Sequence, residues 1–201
     1  ISVRETSEWG CVGPLNQKAI VIDSLGPHLE LVTTLPENDE IIEVSWKLLN
    51  DQHFKRKAML FKSKIKHRSW SIIDSFQKQT TSYIDQNVAT DKNYYDYIIA
   101  VKNVCNARFE SAIHRSILLR GKKEGDFNIK LSWNPYSGWK NGVKHYNIYR
   151  KVNSGPDYSI YKNGISDTTS LLKVGIDGRQ QCYRVVAVKE GDEEMQSWSN
   201  K

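Results

Sequence analysis

A strand pattern that occurs twice limits what this chain can fold into. Val44-Ser45-Trp46 returns as Leu131-Ser132-Trp133. Thr80-Thr81-Ser82 returns as Thr168-Thr169-Ser170, and Ile98-Ile99-Ala100-Val101 as Val185-Val186-Ala187-Val188. The tryptophan copies lie in short runs that alternate apolar and polar side chains, the mark of a half-buried strand. In the second copy Ile129, Leu131 and Trp133 alternate with Lys130, Ser132 and Asn134. After the turn-rich stretch 134–142, Tyr146 and Ile148 alternate with Asn147 and Tyr149. Short strands divided by turn signals point to sandwiches, not to alternating strand-and-helix units. No stretch carries a helical period long enough to argue for a helix. The expectation is an all-β chain of two sandwiches in tandem.

The bulk properties agree with that expectation. A chain of 201 residues suits one large domain or two of ordinary size. With 39% hydrophobic and 26% charged residues it should fold. It has no run of about 18 apolar residues, so no transmembrane helix is expected. The net charge of +6 suits an anionic partner without naming one. Cys11, Cys105 and Cys182 show no C-x-x-C spacing and no histidines at metal-binding intervals, so no zinc site is expected. The chain opens at Ile1 inside a strand pattern, so it reads as a piece of a longer protein, and a missing leader carries no weight.

Taken in order, residues 1–25 read as the terminal strands of a preceding β-domain. Two strands are only marginally stable alone. Residues 26–121 form the first expected sandwich, with strands near 29–33, 41–46, 58–63, 70–72, 81–85, 94–101 and 112–119. Gly121–Gly125 reads as a linker too short to permit free tumbling. Residues 122–201 form the second, with strands near 127–133, 146–150, 158–161, 169–172, 182–188 and 195–198. Its first strand is weak, or is supplied by the last strand of the first sandwich running on. Two separate cores are expected around Trp46 and Trp133, the second including Tyr146, Ile148, Tyr183 and Val185.

The second half resembles a known group. The segments 131–139, 146–150 and 181–188, closing on Ser197-Trp198-Ser199-Asn200, are similar to fibronectin type III repeats of Bacteroidetes gliding-motility-associated proteins. Residues 114–119 resemble the strand that closes the preceding repeat, and residues 3–14 resemble the end of a PKD-like repeat. The resemblance implies tandem immunoglobulin-like sandwiches of the fibronectin type III kind. It also implies a large exported surface protein handled by type IX secretion, at the cell surface or outside the cell. The chain would then be a non-catalytic structural and adhesion module that spaces neighbouring domains of its parent chain. The rival reading is an accessory carbohydrate-binding module of a secreted polysaccharide-degrading enzyme. Two departures stand out. Such repeats often pair the cysteine at the position of Cys182 with a second one, but 170–181 holds none, and Gln181 stands where an aromatic is usual. Three free thiols are therefore expected.

Two surface features are candidate ligand sites. Lys62, Lys64, Lys66 and Arg68 are spaced by two, so a continuing strand would put them on one face, where an anion would relieve their repulsion. The bland alternative is an edge protected from aggregation by lysines. Tyr136 and Trp139, in a loop, could stack on sugar rings; they could equally fill a junction between domains. Trp70 and Trp198 fall near strand ends. Nothing argues for catalysis: His28, His53, His67, His114 and His145 are scattered, and no nucleophile elbow or phosphate loop is present. The acidic tip Asp192-Glu193-Glu194 reads as a solvated turn. No cofactor is implied. The partners in view are an anionic polysaccharide or a surface protein. Neither nucleic acid nor membrane insertion is expected, and the chain should be a monomer.

Overall fold

Alternation along the chain becomes fifteen strands and no helix among the described residues. The structure is a computed structural model that describes residues 26–49, 54–64, 69–77, 79–86, 88–103, 106–153, 157–174 and 179–201. The readings for residues 1–25, for Lys66 and Arg68, and for Cys11 and Cys105 lie outside the described residues.

In the first sandwich β1 (Gly26–Leu35), β2 (Asn38–Leu49) and β5 (Ser82–Gln86) make one sheet in that order. The facing sheet runs β4 (Trp70–Gln77), β3 (Phe54–Lys64), β6 (Tyr95–Asn103) and β7 (Arg108–Glu110), with β8 (His114–Arg115) also paired to β6. The second sandwich repeats this order. One sheet runs β13 (Thr169–Lys173), β10 (Asn128–Trp133), β9 (Leu119–Lys123). The other runs β12 (Ser159–Ile165), β11 (Val143–Val152), β14 (Gln181–Lys189), β15 (Asp192–Trp198). The pairings are antiparallel. The chain is a tandem of immunoglobulin-like β-sandwiches.

Alternation decides which face each strand buries. On β2, Ile42, Val44 and Trp46 are fully buried, and Trp46 packs on Phe76 at 5.3 Å between ring centroids. They join Leu60, Tyr97, Ile99 and Val101 in the first core. The second core gathers Leu131, Trp133, Tyr146, Ile148, Tyr183, Val185 and Ala187. Strand β6 is buried on both faces, because Ile98 and Ala100 pack with Phe61 on the outer side. The Arg108 guanidinium lies 4.4 Å from the centre of the Phe61 ring and helps to cover that cluster.

Two sequence expectations need correction here. The single strand expected over 112–119 holds only β8 and the first residue of β9, while β7 precedes it. The linker expected at 121–125 is largely strand, since Leu119–Lys123 pairs with β10 from Trp133 to Ile129. Gly121 explains why this strand, expected to be weak or supplied by the first sandwich running on, reads so faintly. It occupies an inward position, where a Cβ would come 3.1 Å from Ile129 Cδ1, so the apolar beat is missing there. The passage between sandwiches is then 116–118, held by Asn134, which accepts from Leu118 N (2.8 Å) and donates to Ser116 O (3.0 Å).

Candidate functional site

The lysine row does not assemble as expected. Lys62 shares the inward face of β3 with Ala58 and Leu60, with Nζ 2.8 and 3.1 Å from the two carboxylate oxygens of Asp85. Asp85 is buried, and it also accepts from the Tyr97 hydroxyl at 2.7 Å. Burial, together with the neighbouring Asp85 carboxylate, holds that phenol well above its ordinary pKa, so it stays a donor. Lys62 is thus spent on a buried acid rather than offered to solvent. Of the described members of the row, only Lys64 is exposed.

Tyr136 and Trp139 also differ from the exposed platform reading. They are 5% and 8% exposed, because β1 of the first sandwich lies across them. Trp139 Nε1 donates to Glu30 O at 2.7 Å, and the Tyr136 hydroxyl accepts from Val32 N at 3.1 Å. The same hydroxyl lies 3.0 Å from His114 Nδ1. Its oxygen already receives the Val32 N–H and burial raises its pKa, so it donates its own proton to His114. That fixes His114 as a neutral ring with its proton on Nε2. Burial lowers its pKa from 6.5 to about 4, against a bond to the Gly138 backbone and with a small push from Lys189. Gly138 has φ 122°, and a Cβ there would sit 2.0 Å from the imidazole, so only glycine leaves room for the ring.

Arg184 completes the joint. Alternation along β14 turns Tyr183, Val185 and Ala187 inward and Arg184 away from the second core, yet Arg184 is only 2% exposed. The turn between β1 and β2 covers it. Its Nη2 donates to Pro36 O at 2.9 Å and lies 2.7 Å from Asp39 Oδ1, while Nη1 donates to Ser199 O. Beside it Ser197 Oγ donates to Val32 O at 2.7 Å, and Trp198 N donates to Thr33 Oγ1 at 2.8 Å. Lys201 N reaches Asp39 Oδ1 at 3.1 Å. Strand alternation identifies the outward face of Arg184, but no local signal says that another sandwich will cover that face.

A cleft of about 540 Å³ opens beside the joint, with Glu30, Glu110, Trp139 and Lys189 among its walls. Among the described residues no group of three His, Cys, Asp or Glu could hold a metal ion. Cys182 is a free, half-buried thiol. The acidic tip is partly paired: Glu193 bonds Lys144, and Asp192 lies 3.5 Å from Lys189. A phenol bond of the kind that closes such sandwiches occurs in the first copy, where Ala89 N donates to the Tyr95 hydroxyl at 3.0 Å. In the second, the Tyr183 hydroxyl instead donates to the Gln181 side chain at 2.6 Å.

No family model matches the chain, and no curated protein does. Solved structures similar to it include a two-domain fibronectin type III segment of chicken tenascin. That segment is 13% identical, with 87% of this chain and 96% of that one covered at a TM-score of 0.33. The FN1-FN3 domains of chicken CNTN1 are 11% identical, with 89% and 69% covered at 0.35. At these TM-scores the likeness adds no weight, and the fold assignment stands on the strand order.

Proposed function

We propose that this chain is a non-catalytic structural module, which sets the spacing and direction of whatever its parent protein carries on either side. The observation that carries this reading is Arg184. A guanidinium that is 2% exposed on the outer face of one sandwich, bonded to Pro36 and Asp39 of the other, fixes one angle between them. Two sandwiches joined only by a flexible tether would leave that face in water. The finer reading is an adhesion or spacing segment of a large exported bacterial surface protein of the gliding-motility kind, located at the cell surface. Its support is the motif resemblance of 131–139, 146–150 and 181–188. The rival reading, an accessory carbohydrate-binding module, loses the Tyr136 and Trp139 platform as a support, since both are inside the joint.

Small-angle scattering on the 201-residue chain tests the rigid angle. One inter-sandwich arrangement should fit the wild-type curve, and Arg184→Ala should require a distribution of arrangements. A wild-type curve that demands a broad distribution would reject the module as a rigid spacer.

A further inference from the structure

The register of the second sandwich gathers charge on a face that the lysine row did not indicate. On the outer side of the β13-β10-β9 sheet, Lys130 lies directly opposite Lys122 on one neighbour and Leu171 on the other. Ser132 lies opposite Arg120 and Thr169, and Asn128 opposite Lys173. Glu124, whose N donates to Asn128 O at 2.8 Å, ends this face; of the nine positions four are cations and this one is an acid. Arg120, Lys122, Lys130 and Lys173 are all exposed. None of them enters an ion pair among the described residues, whereas Lys47, Lys62, Arg115, Lys144 and Lys189 each have an acidic partner.

Edge protection accounts for Arg120, Lys122 and Lys173, on the edge strands β9 and β13, but not for Lys130. Lysines that guard against aggregation belong on edge strands, but Lys130 is on the central strand of its sheet. Lys122 and Lys130 face each other across the ladder, a like-charge pair that weakens the sheet. An anion lying across the face would remove that repulsion. The face is about 10 Å wide across three strands, and cations along a strand recur roughly every 6.7 Å. It carries Leu171 and the lysine stems but no aromatic side chain on which bases could stack. Among the described residues there is no helix to enter a duplex groove. We infer that this face binds an extended acidic polysaccharide through carboxylate or sulfate groups. The inference does not depend on the rigid-spacer reading, since a spacer needs no ligand.

The test is binding of the 201-residue chain to polygalacturonate, heparin, neutral dextran and duplex DNA, by calorimetry across a salt series. The inference expects binding to at least one of the two acidic polymers, none to dextran, and affinity that falls steeply as salt rises. Lys122→Glu with Lys130→Glu should weaken binding at least tenfold. Lys130→Gln should give a smaller loss, and Lys64→Glu, on the other sandwich, should change it less than twofold. Lys122→Glu alone should weaken binding while leaving the melting temperature equal or higher, because it removes the like-charge pair; a misfolded variant would melt lower. Three results would overturn the inference. They are no binding to either acidic polymer at low salt, binding indifferent to the double variant, and duplex DNA bound as tightly at equal charge.

Discussion

Trp133 shows how a single side chain carries a core. It is 6% exposed and meets Tyr146 edge-on at 5.6 Å. Trp133→Ala should cost about 3–5 kcal/mol, from lost transfer energy and the cavity left behind, read as a lower denaturant midpoint of the chain. His114 gives a pH-dependent prediction. Its folded pKa of about 4 lies below the ordinary 6.5, so as pH falls the unfolded chain takes up the proton first. Its share of stability is whole above about pH 6.5 and is lost between there and pH 4, about 3 kcal/mol in all. Below pH 4 the folded protein is protonated too, and this group adds no further slope. Denaturant titrations of wild type and His114→Gln at pH 7, 5.5 and 4 isolate the effect, since the carboxylates titrate in both proteins. Equal slopes in the two proteins would remove His114 as the cause. Sequence reading treated His114 as one of five scattered histidines. The contacts that bury it come from Tyr136 and Gly138, more than twenty residues away, and no local pattern encodes them.

Elements were legible in proportion to how strictly they alternate. Strands β2 and β10 are plain because Val44 and Trp46, and Leu131 and Trp133, sit on a strict period of two; β14 stands out instead by its continuous apolar run 185–188, buried on both faces. Strand β9 is faint because of Gly121, and the basic row does not form because Lys62 turns toward a buried acid that arrives from β5. The Lys62–Asp85–Tyr97 group ties β3, β5 and β6 together at one end of the first sandwich. Removing the acid would strand an ammonium whose side chain is 23% exposed. Asp85→Ala should therefore cost about 2–3 kcal/mol, below the full penalty of a completely buried pair because Lys62 can turn partly to water. Adding Lys62→Met should recover part of that loss. If the double variant is as unstable as the sum of the two single ones, Lys62 and Asp85 are not coupled.

At the scale of the whole molecule the joint is better understood as an interface than as a linker. A short connection at 121–125 was expected to limit tumbling, but that stretch is mostly strand. What restrains the sandwiches is β1 lying against β15, Tyr136 and Trp139, with the β1–β2 turn over Arg184. These contacts couple the two cores, because Leu31 of β1 packs against the second one. The folded pair should therefore melt as one unit even though each sandwich has its own core. Arg184→Ala removes charge-assisted bonds to Pro36, Asp39 and Ser199 and leaves their carbonyls and carboxylate facing a cavity. The loss belongs mainly to the coupling and not to either core, since Arg184 points away from the second core and lies outside the first. Calorimetry of the wild-type chain should show a single transition, with calorimetric and van't Hoff enthalpies in agreement. In Arg184→Ala the transition should split in two, or the van't Hoff enthalpy should fall well below the calorimetric one. Two separate transitions in the wild-type protein would mean that the contacts between sandwiches carry too little energy to couple them.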